Sequence, residues 1–259
     1  MLDDIVMSKQ QEVEAAKDAL PFEDLKARLA SHLTERPFGL AIQRPGKLSL
    51  IAELKRKSPS KGMLRERFDP VSLAQTLEAA GASALSVLTD EPYFGGHLEF
   101  LRDAKQFTEV PVLRKDFIVD PYQVYEAAFY EADAVLLIVR ILTDKQLIDC
   151  LQAADTVGIE ALVEVHNDGE LKMALGAGAH LLGINHRDLR TFQIDPTLSE
   201  RLIPRIPAGK VIVAESGIQT AEDVQRMSRL GVHALLIGEA LMTAPDPAAK
   251  VRELFRGTW

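Results

Sequence analysis

Residues 48 to 55 read Leu48-Ser49-Leu50-Ile51-Ala52-Glu53-Leu54-Lys55, a short apolar run that ends in charge. Further runs of the same kind follow, each rich in Val, Ile or Leu and each followed by a longer amphipathic segment. The eight runs begin near Leu48, Ala84, Pro111, Ala134, Glu160, Leu181, Lys210 and Ala234. This alternation is typical of β-strands joined by α-helices.

The segments between the runs have helical periodicity, as residues 121–130 and 220–230 illustrate. Three of them end in glycine shortly before the next run, at Gly81, Gly178 and Gly231, as expected where a helix ends and the chain reverses. Strand–helix units too short to bury their own apolar faces predict a single closed (β/α)8 TIM barrel. An open doubly wound sheet is the alternative, but it usually has fewer strands, and the chain lacks a G-x-G-x-x-G turn.

Residues 1–47 stand outside this repeat and predict an N-terminal helical extension packed on a barrel of residues 48–259. Two apolar stripes indicate two helices, with Pro21 beginning the second. The stripes consist of Ile5, Val6, Val13 and Ala16, and of Leu25, Leu29 and Leu33. The pattern leaves open whether the extension caps the bottom of the barrel or lies over its mouth.

Composition restricts the class of protein. A chain of 259 residues suits one α/β barrel domain, and its net charge of -8 disfavours a nucleic-acid-binding module. The single cysteine, Cys150, excludes an internal disulfide framework, and its helix-like surroundings favour packing over nucleophilic chemistry. No apolar run reaches transmembrane length, and the N-terminal residues do not resemble a signal peptide. We therefore expect a cytoplasmic protein with no membrane or nucleic-acid partner.

Polar residues end five of the apolar runs. Side chains alternate along a strand, so Glu53 and Lys55 share a face with Ile51, and Lys115 shares a face with Leu113. The other three runs end in Glu164, Asn185 and Glu215. Because chemistry in these barrels takes place at the carboxyl ends of the strands, the pattern predicts one pocket lined by lysines, glutamates and an amide. A single such glutamate is usually just solvated, whereas several together favour catalysis, since burying ionisable groups costs stability.

Glycines follow the seventh and eighth runs, at Gly217 and Gly238. They allow backbone N–H groups to approach an anion, and barrels often bind phosphate at these loops, although tight turns alone would also explain them. The basic loop 56–62 suits a lid over an anionic substrate, or a solvated loop. The six histidines show no metal-ligand spacing, so no metal is expected, and the chain has no G-x-S-x-G motif that would indicate a Ser-His-Asp triad.

The chain resembles the indole-3-glycerol phosphate synthase family from residue 48 to its end, and its N-terminal helices are similar to the extension of that family. The motifs that carry the resemblance are ELKRKSPSKG (53–62), SVLTD (86–90), LRKDFI (113–118), LVEV (162–165), GINHRDL (183–189), AESGI (214–218) and LIGEALM (236–242). They occur in the family's order and are highly specific together. Small departures are His186, where many members have Asn, and Leu54, where Ile is common. His186 alternates with Asn185, so we expect it to point away from the pocket.

The resemblance implies an enzyme that converts 1-(2-carboxyphenylamino)-1-deoxyribulose 5-phosphate into indole-3-glycerol phosphate, carbon dioxide and water without a cofactor. It implies Lys115 as general acid in ring closure with Glu164 beside it, and Lys55 with Glu53 as the acid–base pair for dehydration. The remaining implied residues are Asn185 to orient the intermediate, Ser216 between substrate and phosphate, Arg187 and Ser58 for the ring carboxylate, Phe94 and Phe117 for the aromatic ring, Glu215 in the substrate pocket, and Gly217, Gly238 and the backbone N–H of Glu239 for the phosphate. The division of proton transfers among the four acid–base residues stays open.

Two other functions stay open on the residues alone. One is another phosphosugar barrel enzyme such as phosphoribosylanthranilate isomerase, which the Lys115-Asp116-Phe117 motif and the N-terminal helices disfavour. The other is a non-catalytic anion-binding barrel, which would be expected to have lost Lys115 or Glu164. The expected partner is the small-molecule phosphosugar–anthranilate substrate. A monomer is compatible with the sequence, and association with other enzymes of tryptophan biosynthesis is open.

Overall fold

The computed structural model describes residues 1–29 and 36–258, and its centre is a closed barrel of parallel strands. The strands are β1 (Ser49–Leu54), β2 (Ala84–Leu88), β3 (Val112–Lys115), β4 (Ala134–Ile138), β5 (Glu160–Val165), β6 (Leu181–Asn185), β7 (Val211–Glu215) and β8 (Ala234–Ile237). Each strand pairs with its neighbours in chain order, and β8 pairs with β1 to close the barrel. The predicted TIM barrel is confirmed, and every strand begins within one residue of the position that the sequence predicts.

Helices alternate with the strands and cover the outside of the barrel. The helices are α1 (Leu2–Ala19), α2 (Phe22–Leu29), α3 (Phe38–Ile42), α4 (Pro70–Ala79), α5 (Glu91–Phe94), α6 (Glu99–Phe107), α7 (Pro121–Phe129), α8 (Asp144–Val157), α9 (Asp168–Gly176), α10 (Leu198–Leu202), α11 (Ala221–Arg229), α12 (Glu239–Met242) and α13 (Pro247–Leu254). Short 3-10 turns occupy Val139–Ile141 and Ile203–Arg205. The predicted helices over residues 121–130 and 220–230 are α7 and α11, each of which begins with a capping box, from Asp120 and Thr220.

Alternation along the strands produces two apolar layers. In β1, Leu50 and Ala52 belong to the layer between strands and helices, whereas Ile51 belongs to the layer inside the barrel. The same alternation turns Glu53 inward at the carboxyl end of the strand. Cys150 is fully buried in the outer layer, and burial raises the pKa of its thiol to about 12, so its predicted packing role is confirmed.

The N-terminal extension contacts both ends of the barrel. Lys9 of α1 lies 3.1 Å from Asp90 and 3.0 Å from Asp116, which follow the carboxyl ends of β2 and β3. At the opposite end, the backbone N–H of Gly39 in α3 donates to Glu160, the first residue of β5, at 2.8 Å. Phe38, also in α3, is fully buried and belongs to the apolar layer inside the barrel. The extension therefore covers the rim of the mouth and closes the bottom.

Details of the extension differ from the sequence expectation. Helix α2 begins at Phe22, one residue after Pro21, whose carbonyl accepts from Leu25. Leu33, assigned to the second apolar stripe, lies outside the described residues. Helix α3 was not predicted, because a helix of 5 residues is too short to show an apolar stripe. None of the helices described is both long and apolar enough to span a membrane.

Candidate active site

A cavity opens at the carboxyl ends of the strands, where the chemistry was predicted to lie. Its walls contain every residue that the sequence analysis assigned to the site. These are Glu53, Lys55, Ser58, Phe94, Lys115, Phe117, Glu164, Asn185, Arg187, Glu215, Ser216, Gly217, Gly238 and Glu239. The predicted convergence on one pocket is therefore observed, while the role of each residue stays a prediction.

Lys115 is at the centre of the charged groups. Its Nζ lies 3.3 Å from Oε2 of Glu164 and 3.4 Å from Oε2 of Glu215, and both glutamates are buried. Within the described residues, neither carboxylate oxygen of Glu215 has a hydrogen-bond partner. Beside these groups, Lys55 and Glu53 form an ion pair at 2.5 Å. One buried ammonium thus faces more carboxylates than it can neutralise.

This crowding separates the pKa values of the carboxyl groups. Burial, with the charges of Glu164 and Glu53, raises the pKa of Glu215 to about 8 although Lys115 acts against it. Burial also opposes ionisation of Glu164, but the Lys115 ammonium and His166 outweigh it and lower the pKa of that carboxyl. The three neighbouring carboxylates raise the pKa of Lys115 despite its burial. Groups with pKa values pushed apart are typical of acid–base sites.

Two glycines make room for the buried carboxylates. A Cβ atom on Gly238 would lie 2.1 Å from Oε1 of Glu53, and a Cβ on Gly183 would lie 2.3 Å from Oε1 of Glu215. Both distances are far below van der Waals contact. Gly238, predicted to let backbone reach a phosphate, therefore has a second reason to be glycine that only the structure reveals.

The loop after β7 has an unusual backbone. Ser216 and Gly217 both have positive φ, at 64° and 74°, and consecutive backbone N–H groups in such turns form concave anion sites. His186 supports this loop from behind, with Nδ1 3.1 Å from the carbonyl oxygen of Ser216 and Nε2 2.7 Å from Oγ of Ser199. Because His186 is buried there and does not line the cavity, the expectation that it points away from the pocket is confirmed.

The rim of the cavity carries the predicted substrate-binding side chains. Arg187 donates to Oε2 of Glu239 at 3.1 Å, so its guanidinium already has one carboxylate partner. The rings of Phe94 and Phe117 face each other with centroids 5.9 Å apart. The predicted lid, loop 56–62, contains a small hairpin in which Lys57–Ser58 pairs with Gly62–Met63.

His166 is the polar neighbour of the site that sequence analysis missed. It follows β5, is largely buried, and places Nε2 3.2 Å from Oε1 of Glu164 and Nδ1 3.0 Å from Oε2 of Glu170. These two carboxylates outweigh burial and raise the pKa of His166 to about 9. The two-residue spacing from Glu164 was a usable signal, because residues two apart in a strand share a face.

Comparison with known proteins agrees with this arrangement. The family model described as "Indole-3-glycerol phosphate synthase" matches residues 2–254. The chain belongs to the indole-3-glycerol phosphate synthase family. The resemblance seen in the sequence motifs is thereby confirmed, and it extends through the N-terminal helices.

Relatives named indole-3-glycerol phosphate synthase are similar over nearly their whole length. The protein of Dehalococcoides mccartyi (strain CBDB1) is 46% identical, with 98% of this chain and 99% of the relative covered. The protein of Carboxydothermus hydrogenoformans is 45% identical, with 98% of each chain covered. These identities over the full barrel and extension support the same family membership.

Solved structures of lower similarity agree on the fold alone. The structure of 3-hexulose-6-phosphate synthase from Salmonella typhimurium has a TM-score of 0.65 at 16% identity and covers 80% of this chain and 96% of that chain. The structure of KGPDC from Streptococcus mutans has a TM-score of 0.62 at 15% identity and covers 80% of this chain and 94% of that chain.

Potential metal ligands are not clustered in the described part of the chain. Residues 1–29 and 36–258 contain no group of three or more His, Cys, Asp and Glu side chains placed to hold a metal ion. His32 lies outside the described residues. That the reaction needs neither metal nor cofactor stays a prediction.

Proposed function

We propose that this chain is an indole-3-glycerol phosphate synthase that closes the indole ring of 1-(2-carboxyphenylamino)-1-deoxyribulose 5-phosphate and releases carbon dioxide and water. The observation that carries the proposal is the Lys115 ammonium held between Glu164 and Glu215, beside the Lys55–Glu53 ion pair, in one cavity. In this proposal the enzyme is a carboxy-lyase that uses acid–base chemistry and no cofactor.

Ring closure requires a proton donor at the ketone oxygen while the aromatic carbon attacks it. Neighbouring carboxylates raise the pKa of Lys115 and keep it protonated in the free protein, and its ammonium can stabilise the alkoxide charge that develops as the proton is transferred. Glu164 lies within 3.3 Å of the ammonium and can hold it in place or return a proton after transfer. A neutral Glu215, favoured by its pKa of about 8, would leave the lysine free to face the substrate rather than two anions.

Decarboxylation and dehydration follow ring closure. Departure of carbon dioxide restores the aromaticity of the ring, and loss of the hydroxyl needs an acid and a base near the new ring. Lys55 and Glu53, 2.5 Å apart, provide such a pair next to Lys115. The Coulombic attraction of Lys55 and Lys115 outweighs burial and lowers the pKa of Glu53, which favours its carboxylate form.

The two ends of the substrate would bind on different parts of the rim. The phosphate suits the loops after β7 and β8, where Gly217 and Gly238 leave the backbone accessible. The ring carboxylate suits Arg187 with Ser58, and binding would then replace or share the contact of Arg187 with Glu239. Phe94 and Phe117 line the same cavity and offer apolar surface to the aromatic ring.

The proposal is tested by following the fluorescence of the indole product formed from synthetic substrate, together with release of carbon dioxide. The substrate of phosphoribosylanthranilate isomerase is assayed in parallel on the same preparation. We expect indole formation and carbon dioxide in equal amounts and no isomerase turnover. Turnover of the isomerase substrate without carbon dioxide release would replace the proposal by the isomerase alternative.

A further inference from the structure

A row of polar contacts leads from Lys115 away from the cavity and through β5 to the outside of the barrel. Oε2 of Glu164 contacts Lys115 at 3.3 Å, while its other oxygen, Oε1, lies 3.2 Å from Nε2 of His166. The second ring nitrogen of His166, Nδ1, lies 3.0 Å from Oε2 of Glu170. Glu164 and His166 therefore each contact two neighbours, one through each of their two polar side-chain atoms.

The contact between His166 and Glu164 is close but poorly aligned. The N–H direction at Nε2 does not meet the criteria of a hydrogen bond, and within the described residues neither Nε2 nor Oε1 has another hydrogen-bond partner. Both groups are nonetheless more than nine-tenths buried. At 3.2 Å the two atoms are close enough for a proton to pass from Nε2 to Oε1 once the ring turns into line.

The outer end of the row reaches solvent. Glu170 is held by the backbone N–H of His166 at 2.7 Å, by Asn167 at 2.7 Å and by Arg140 at 2.9 Å. Its side chain keeps 12% of its surface exposed and lines a surface cleft of about 500 Å³. This cleft shares no lining residue with the cavity that contains Lys115. Water can thus reach Glu170 while substrate fills the mouth of the barrel.

The proposed reaction consumes protons and so needs a supply of them from solvent. The inference rests on that proposed function. The substrate enters with a charged ring carboxylate, and neutral carbon dioxide leaves when the C–C bond breaks and its electron pair stays with the ring. The hydroxyl then departs with a proton as water. Summed over the steps, one proton is taken up from solvent in every turnover. Substrate or product lying over Lys115 would close the direct route for that proton, so a second route allows Lys115 to be reprotonated before the product leaves.

We propose that His166 and Glu170 form a proton relay that returns a proton from the outer cleft to Glu164 and Lys115 once per turnover. Lys115 gives a proton to the substrate and is left as a neutral amine beside the Glu164 carboxylate. The His166 imidazolium gives its Nε2 proton to Oε1 of Glu164, and after rotation of the carboxyl group Glu164 passes that proton to Lys115 and becomes a carboxylate again. A half rotation of the ring turns the vacant nitrogen toward Glu170, which passes on a proton taken from water. All groups finish in their starting states.

The test compares the first turnover with later turnovers in His166→Gln. Glutamine keeps a hydrogen-bonding group near Glu164 and Glu170 but cannot pass a proton from one to the other. Because Lys115 starts protonated, rapid mixing should show one product per enzyme at nearly the wild-type rate. Steady-state kcat should then fall about tenfold to a hundredfold, at or below the effect of a lost general acid, with KM little changed.

Three further variants keep the test decisive. Glu170→Gln should give the same burst followed by slow turnover. It replaces His166→Gln as the test variant if thermal melting shows that His166→Gln is unfolded. Asp168→Asn is the matched control, because Asp168 lies in the same first turn of α9 but pairs with Arg205 on the surface. It should keep wild-type kinetics. Imidazole added to His166→Ala should restore steady-state turnover in proportion to its concentration.

An equal loss in the first and later turnovers would overturn the relay and leave His166 with a structural role. Steady-state turnover within about twofold of wild type in both His166→Gln and Glu170→Gln would overturn it as well, since a required proton donor contributes far more. Failure of the proposed function itself is distinguishable, because the wild-type enzyme would then form no indole product.

Discussion

Two clusters of buried charge lie side by side at the carboxyl end of the barrel, and they are built differently. The mouth cluster consists of Lys115, Glu53, Glu164 and Glu215. The flank cluster, beneath α1, consists of Lys9, Asp90, Arg114 and Asp116. All eight side chains except Lys115 are almost completely buried.

In the flank cluster two cations serve two buried aspartates, and the same cations also contact the less buried Glu12 and Glu126, at 2.6 and 2.9 Å. Lys9 lies about equally close to Asp90 and Asp116, at 3.1 and 3.0 Å, and Arg114 contacts Asp116 at 3.1 Å. Arg114 and Lys9 outweigh burial and lower the pKa of Asp116 to about 2, and the same contacts raise the pKa of Lys9. Lys9 and Arg114 thus stabilise the ionised form of Asp116. This is the arrangement expected where buried charges hold a structure together.

In the mouth cluster Glu53 is paired with Lys55, but the Lys115 ammonium faces two buried carboxyl groups, Glu164 and Glu215, so one of them is left in an unfavourable state. That group is Glu215, whose pKa is raised to about 8. The comparison teaches that burial alone does not mark a catalytic site, because both clusters are buried. A carboxyl group whose pKa lies near neutral pH, and whose proton is therefore mobile, is what distinguishes the mouth cluster.

The largest expected effect is on turnover in Lys115→Met. Methionine keeps much of the length and packing but cannot donate a proton, so kcat should fall by about a hundredfold to ten-thousandfold. At pH 6 the thermal midpoint should change little, because Glu215 is already neutral below its pKa of about 8 and His166 still contacts Glu164. Steady-state assays and thermal melting on one preparation measure both. More than about a tenth of wild-type turnover would instead assign ring closure to Lys55.

The corresponding change in the flank cluster, Lys9→Met, should act on stability. Removing one partner leaves Asp90 and Asp116 buried with less compensation, which typically costs about 3–5 kcal/mol. We expect the free energy of unfolding in urea to fall by that amount. Lys17→Met is the control, since Lys17 also lies on α1 but its pairs with Glu14 and Asp120 are partly exposed. A loss equal to that of the control would show that the flank cluster is not a stabilising network.

Acid should weaken the flank cluster in a narrow pH range. The pKa of Asp116 is lowered to about 2 from an ordinary 3.8, so its stabilising contribution is complete above about pH 4 and is lost as the pH falls toward 2. The shift corresponds to about 2 kcal/mol. Urea unfolding between pH 2 and 5 should show this slope in wild type and a smaller slope in Asp116→Asn. Identical slopes in the two proteins would show that Asp116 is not the source of this pH dependence.

An effect of the opposite sign belongs to Glu215→Gln. A carboxyl whose folded pKa is raised to about 8 costs the wild type stability as pH rises from near 4.5 to 8, where the unfolded chain ionises freely. Glutamine removes this cost, so the variant should be more stable at pH 8, by up to about 4 kcal/mol if the whole shift is recovered, and by less than about 1 kcal/mol at pH 5. Thermal melts at the two pH values test this. A variant destabilised equally at both would mean that Glu215 is ionised and well paired.

Much of the fold and of the candidate site could be predicted from local pattern. Strand starts such as Ala84 and Leu181 were correct because alternating apolar runs report burial directly. Glu53, Lys115 and Glu164 were assigned to one cavity because all parallel strands of a closed barrel end at the same face. The family motifs then supplied expectations for Phe94 and Arg187, which lie off the strands.

What the sequence by itself determined is the order of strands and helices and the membership of the mouth cluster. Only the tertiary structure decided that α1 pairs Lys9 with Asp90 and Asp116, that Gly238 makes room for Glu53, and that His166 reaches Glu164 and Glu170 at once. The physical reason is distance along the chain. Periodicity reports which side of an element is buried, whereas ion pairs and steric fits depend on which distant residues the closed barrel brings within a few ångströms.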